Sequence, residues 1–236
     1  MSTVRPASGG GKYVAIPPVR VVGWFGRLGD RHQGILHTDL TDYQVSVVAG
    51  DGTLAVVDVP FAPLRTATGV RLDWLAGEPP LRRPGLAIDD LVAHLLVPRR
   101  IGLLLVRLGG HSVGIAAGGR VLTSATDHKQ VHGRNKAGGW SQQRFARRRA
   151  GQARDALRAA ADDAVRVLVP ALPDLVAVVL GGDRRALDTL RADQRLTDVF
   201  AIALPRVLDV PEPRRTVLDD AAVRACDVEI LVTEPG

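Results

Sequence analysis

The stretch that most limits what this chain can fold into runs from residue 101 to Pro170. Three apolar runs, residues 101–108, 112–117 and 120–126, follow one another across Gly109-Gly110 and Gly118-Gly119. Turns that short permit only antiparallel neighbours, because a parallel pair needs a crossover of a dozen residues or more. One helical stretch follows, residues 141–169. Its apolar and small positions Ala146, Ala150, Ala153, Leu157, Ala160, Ala164 and Leu168 recur three and four apart until Pro170 stops it. At 1.5 Å per residue such a helix reaches about 40 Å. Beyond it the pattern predicts a strand at 175–180, a helix at 184–190, a short strand at 200–203, a helix at 216–224 and a last strand at 226–232. Three antiparallel strands followed by helix–strand alternation imply an α/β fold, a mixed sheet with helices on its faces.

The region before it reads as a smaller α+β module. Residues 1–12 are Ser/Gly-rich and read as a flexible tail. Pro17-Pro18 opens a short amphipathic helix carrying Val22, Phe25 and Leu28, which ends near residues 32–34. Valine-rich runs at 43–48 and 53–59 flank Ala49-Gly50-Asp51-Gly52, a hairpin signature. Residues 78–85 read as a linker and 87–96 as a short helix, with a boundary at Pro98-Arg99-Arg100. The expected organisation is a tail (1–12), an N-terminal module (13–97) and an α/β domain (98–236).

Composition removes several alternatives. A single cysteine, Cys226, cannot form an intramolecular disulfide or a Cys-rich zinc finger, and its place in the last apolar run suggests a buried, inert thiol. The longest apolar stretches, 101–106 and 175–180, fall far short of the roughly 20 residues a membrane span needs. The N-terminus lacks the apolar core of a signal peptide. A cytoplasmic protein with no membrane partner is expected.

The net charge is +6, with 31 Lys+Arg against 25 Asp+Glu. Between Lys129 and Arg154 there is no acid, and eight bases sum to +8: Lys129, Arg134, Lys136, Arg144, Arg147, Arg148, Arg149 and Arg154. The rest of the chain therefore carries −2. One sign held over 26 residues costs self-repulsion unless a polyanion neutralises it. Cations at a helix start also oppose the macrodipole. The segment reads as a nucleic-acid contact rather than a solvated face.

At its centre lies His132-Gly-Arg-Asn-Lys-Ala-Gly138-Gly139-Trp140-Ser141-Gln142-Gln143-Arg144-Phe145-Ala146-Arg147-Arg148-Arg149. Gly138-Gly139 makes a tip that takes backbone angles closed to other residues and approaches another molecule closely. Ser141 suits a helix cap, and Gln142 and Gln143 are neutral donor-acceptors at the junction. Local physics alone also accommodates a purely structural account: a Gly-rich turn, a Ser cap and two solvated glutamines.

This loop resembles the catalytic loop of the class I peptide release factors of archaea and eukaryotes. The matches are His132-Gly133-Arg134, Gly138-Gly139 and Arg144-Phe145-Ala146-Arg147, with Arg149 also in place, and Leu180-Gly181-Gly182-Asp183 is similar to a later strand and turn. Trp140 stands where those factors carry their glutamine, and Asn135-Lys136-Ala137 are added before the glycines. The form Gly-Gly-Trp-Ser-Gln is closer to the Vms-type branch, and within it to the actinobacterial type, which lacks a zinc finger. The resemblance covers about residues 100–236 and implies an RNase-H-like mixed α/β domain of the release-factor catalytic type. It implies a peptidyl-tRNA hydrolase without cofactor or metal, whose partners are the peptidyl-transferase centre of the large ribosomal subunit and the tRNA acceptor end. By the same resemblance Gln142, or Gln143 one place on, positions a water. Gly138 and Gly139 carry the tip inward, Trp140 stacks on a base, and Arg134, Lys136, Arg144, Arg147 and Arg148 contact RNA.

Other readings compete. A two-metal nuclease needs clustered carboxylates. The basic loop separates Asp127 from Asp155, Asp162 and Asp163. His128 and His132 lie four apart with no third ligand nearby, and His32, His37, His94 and His111 are scattered and read as structural. Gly181-Gly182-Asp183-Arg184-Arg185 follows a strand but lacks the Lys-Ser/Thr of a P-loop, which favours a tight turn. The main alternative is a non-catalytic ribosome- or RNA-binding protein that uses the same basic loop and helix.

Overall fold

Three consecutive glycines after Ser8 let the chain double back at its start. In the computed structural model, which describes residues 3–65, 78–107, 109–128 and 140–235, Gly9, Gly10 and Gly11 take φ values of 99°, 100° and 86°. Residue 3, residue 128 and residues 140–150 are described by backbone alone. The turn brings β1 (Thr3–Pro6) antiparallel to β2 (Lys12–Ile16), with Thr3 opposite Ala15 and Pro6 opposite Lys12. Thr3–Pro6 of the expected flexible tail therefore form an edge strand. Its sequence hides this because the strand is short and half polar.

Two compact units divide the chain: Met1–Val97 with Cys226–Gly236, and Pro98–Ala225. In the first, a 3-10 turn and α1 (Val21–Arg31) start on Pro17-Pro18 as the sequence predicts. Helix α1 buries Val21, Phe25 and Leu28, with the Trp24 ring edge-on to Phe25 at 5.0 Å. β3 (Ile35–Leu40), β4 (Gln44–Ala49) and β5 (Leu54–Asp58) form an antiparallel meander that includes the expected hairpin. β6 (Leu81–Pro84) occupies the segment read as a linker. All four of its residues are exposed, so no burial pattern marks it. Pairing with β3 holds it in place, together with Arg82, which donates to both Asp39 oxygens at 2.7 and 2.8 Å. α2 (Asp89–Leu96) completes this part.

The second unit is built on β7 (Arg100–Arg107), β8 (Gly110–Ala117) and β9 (Arg120–His128), the three consecutive antiparallel strands expected. α3 (Trp140–Leu168) follows, then a 3-10 segment over Val169–Asp174 that begins at the Pro170 stop. β10 (Ala177–Gly182) adds parallel to β7. α4 (Arg184–Arg191) and α5 (Thr197–Ala201) lead to β11 (Ala203–Leu208), parallel to β10. The sequence placed this strand at 200–203. Phe200, Ala201 and Ile202 instead close α5 and the turn after it, and the strand starts at Ala203 and runs on through Pro205. Proline is tolerated there because β11 is an edge strand. The order β11-β10-β7-β8-β9 with only β8 reversed is the RNase-H-like mixed sheet expected. α6 (Arg215–Arg224) covers the face opposite α3. It sits close because Gly114 has no side chain: a Cβ there would lie 2.9 Å from Leu218 Cδ2 and 2.9 Å from the Thr123 carbonyl oxygen.

The final strand, β12 (Val228–Thr233), corrects the sequence reading most. Grouped by sequence with the second domain, it runs in the first sheet between β2 and β5, antiparallel to both, giving the order β1-β2-β12-β5-β4-β3-β6. Val228, Ile230 and Val232 join the core formed by Val14, Val45, Val57 and Phe25. An alternating strand carries no label for the sheet it belongs to. Cys226 stands in the turn before β12, half-buried rather than buried within the strand.

Candidate nucleic-acid interface

The basic segment predicted to meet RNA follows β9 in the chain and runs into the first half of α3. Gly138, Gly139, Arg134 and Lys136, with His132, lie outside the described residues. The backbone of Trp140, Gln142, Gln143, Arg144, Arg147 and Arg148 is helical, all within the first turns of α3. The helix starts at Trp140, so Ser141 is its second residue rather than its cap. Residues 140–143 form the first turn, where backbone N–H groups have no acceptor inside the helix, and no acid occupies that turn.

What holds this end in place is the other end of the helix. Of the side chains described in α3, from residue 151 on, the first to join the core is Leu157, followed by Ala160, Ala161, Ala164, Val167 and Leu168. Three alanines bring the helix axis close to the sheet, over Leu104, Val113 and Ala125. Polar ties add direction. His111 on β8 is buried, and its Nε2 lies 2.8 Å from Asp163 Oδ2, while Arg166 donates to Asp163 Oδ1 at 2.7 Å. Partial burial pushes the Asp163 carboxyl up, but the His111 and Arg166 hydrogen bonds together outweigh it and hold the group below the usual carboxylate range. One residue earlier, Asp162 accepts from Arg195 at 2.8 Å.

These pairings bear on the nuclease reading. Asp162 and Asp163 are engaged by Arg195, His111 and Arg166. Asp127 stands opposite His111 in the β8–β9 register. Among the described residues, no group of three His, Cys, Asp or Glu side chains is arranged to hold a metal ion. His111, read from sequence as structural, joins a residue 52 positions away, a pairing with no local sequence signal. The Gly181-Gly182-Asp183 run is a tight turn: Gly182 has φ 101° and Asp183 caps α4 by accepting from the Arg185 N–H at 2.9 Å.

Among the described residues, no helix is long and apolar enough to cross a membrane. The family model described as Actinobacteria/chloroflexi VLRF1 release factor matches residues 99–231. No curated protein matches the chain. Among solved structures, the chain is similar to an archaeal protein at 17% identity, covering 76% of this chain and 51% of that one with a TM-score of 0.36. It is similar to the archaeal translation termination factor aRF1 at 15% identity, covering 90% and 63% with a TM-score of 0.40. It is also similar to S. cerevisiae Dom34, a translation termination-like factor involved in RNA quality control, at 8% identity, covering 95% and 69% with a TM-score of 0.32. The chain thus spans about half the length of the first and about two-thirds of the other two.

Proposed function

The chain belongs to the Actinobacteria/chloroflexi VLRF1 release factor family, and from that premise we propose that it hydrolyses ribosome-bound peptidyl-tRNA, freeing nascent chains from stalled ribosomes in the cytoplasm. The observation that carries this reading is the run Gly138-Gly139-Trp140-Ser141-Gln142-Gln143 within a segment of charge +8 on a remainder of −2. Hydrolysis of the ester needs a water held against the carbonyl carbon and donors for the developing oxyanion. Positioning and preorganised dipoles supply much of such a barrier without a strong base. Glutamine suits this role, since its amide both donates and accepts and brings no charge among phosphates.

In this mechanism Gly138 and Gly139 let the tip enter the peptidyl-transferase centre of the large subunit. Gln142 orients the water, with Gln143 the neighbouring candidate. Water attacks the carbonyl carbon, its proton leaves to the ribose oxygen of the tRNA acceptor end, and the ester C–O bond breaks to give a free peptide and a deacylated tRNA. Trp140 stacks on an unpaired base. Arg134, Lys136, Arg144, Arg147 and Arg148 pair with phosphates. Anchoring of α3 through Leu157 to Leu168 supports this arrangement by giving the loop a rigid base.

Peptide release from stalled ribosomal complexes tests the reading. Gln142→Ala should slow release about a hundredfold or more, the scale of losing one oxyanion or water-orienting donor. Wild-type release rates in both Gln142→Ala and Gln143→Ala would overturn it. A wild-type protein that binds ribosomes but releases nothing would favour the non-catalytic reading suggested by Trp140 in the glutamine's place.

A further inference from the structure

Strands β7, β9, β10 and β11 all point the same way, with β8 alone reversed. α3 follows β9 and α4 follows β10, so both helices begin at the same rim of the sheet and run back across the same face. Ala186, Leu187 and Leu190 of α4 join the core that holds Ala160 and Ala164 of α3. The Asp162–Arg195 pair ties α3 to the segment just after α4. Arg158 and Arg154 lie one and two turns nearer the N-terminus of α3 than Asp162, on the same side of the helix by their spacing of four and eight residues. Arg184 and Arg185 form the first turn of α4.

These four side chains are exposed, and among the described residues they make no ion pair. The contrast with their neighbours is direct: Arg166 pairs with Asp163, Arg195 with Asp162 and Asp193, and Arg215 with Asp219. Arg184 and Arg185 also stand where helices favour acids, since α4 has no acid in its first turn apart from its cap Asp183. The acids nearby are Asp155 and Asp188, both exposed, and Asp183, whose carboxylate is occupied by the Arg185 N–H. No aromatic side chain lies on α4. The site therefore offers charge for phosphates and nothing to stack on a base.

We propose that Arg154, Arg158, Arg184 and Arg185 form a second RNA-backbone site on the α3–α4 face, apart from the Gly-Gly loop. It holds phosphates of a ribosomal RNA segment without reading sequence. Arg158 stands 18 residues along α3 from Trp140, about 27 Å at 1.5 Å per residue, so this contact is remote from the ester. It contributes to affinity and orientation and leaves the chemical step alone. The proposal rests on the ribosomal reading above.

The test uses the full chain and purified large ribosomal subunits, with binding measured across a salt series. Changing all four arginines to Gln should weaken binding about 10- to 100-fold and lower the slope of log affinity against log salt by about 3 to 4, since each neutralised phosphate contributes roughly 0.7 to 0.9. Changing all four to Lys should preserve both values, because the contact is charge on phosphate. Arg120→Gln, an exposed arginine at the opposite end of β9, should change neither. Release at saturating protein should stay at the wild-type rate in the Arg184→Gln/Arg185→Gln variant. Should the fourfold variant melt early, the pairs Arg154→Gln/Arg158→Gln and Arg184→Gln/Arg185→Gln each carry the same test at about half the slope change. An unchanged slope and affinity, or a Lys variant as weak as the Gln variant, overturns the proposal. Salt-dependent binding that needs these arginines, from a protein that never releases peptide, would sink the hydrolase reading and leave this one standing.

Discussion

The five-stranded sheet draws every strand from Arg100 to Leu208, whereas the seven-stranded sheet needs Val228–Thr233 between β2 and β5. The first assembles from hairpins and short crossovers that lie side by side in sequence. The second has an interior strand, β12, at the far end of the chain, so a large loop must close before its core is complete. The charge divides along the same line, for the acid-free segment belongs wholly to the locally built unit. In the locally built unit, α3 is gripped by Leu157, three alanines, Val167 and Leu168 and by the His111–Asp163 pair.

The sharpest way to break this comparison is Ile230→Asp. Ile230 is fully buried in β12, and an unpaired carboxylate there costs several kcal/mol against the roughly 5–15 kcal/mol that holds a domain together. Thermal melting should lose the transition of the first unit and keep that of the second. Loss of both would show that the second unit does not stand alone. A smaller effect, confined to the second unit, is expected for Gly114→Val. Its side chain would collide with Leu218 and the Thr123 carbonyl, which costs about 1–3 kcal/mol by overpacking. A melt unchanged from wild type would mean that α6 is free to lift off β8.

The smallest effect depends on pH. The folded carboxyl of Asp163 titrates below its unfolded value, so its contribution is complete above about pH 4 and drains away as pH falls through the folded value. Asp163→Asn should lower the melting temperature at neutral pH and flatten the acid limb of the stability profile. The measurement is melting temperature from about pH 2 to 6. Parallel acid limbs in wild type and variant would remove the His111–Asp163 pair from the account of how α3 is held.

Strong periodicity and hard stops made the second unit readable. Gly109-Gly110 and Gly118-Gly119 separate its strands, alanine spacing marks α3, and Pro170 ends it within a residue of the expected place. The charge of residues 129–154 is legible as well, because a run of one sign is a property of the chain itself. β1, β6 and β11 were harder. Each is an edge strand with little burial, and edge strands are specified by the neighbour they pair with more than by their own pattern. His111 carries no local signal of association, since its partner Asp163 comes from another element.

The sequence by itself determined the order of strands and helices from Ile101 to Pro170 and the +8 charge of residues 129–154. These depend on residue type and spacing along the chain, which no packing can alter. Tertiary structure alone decided that β12 belongs to the first sheet, that His111 meets Asp163, and that α3 and α4 share one core. Those facts arise from which apolar faces bury against each other and from the direction each strand takes. Residues far apart in the chain become neighbours only when those faces close.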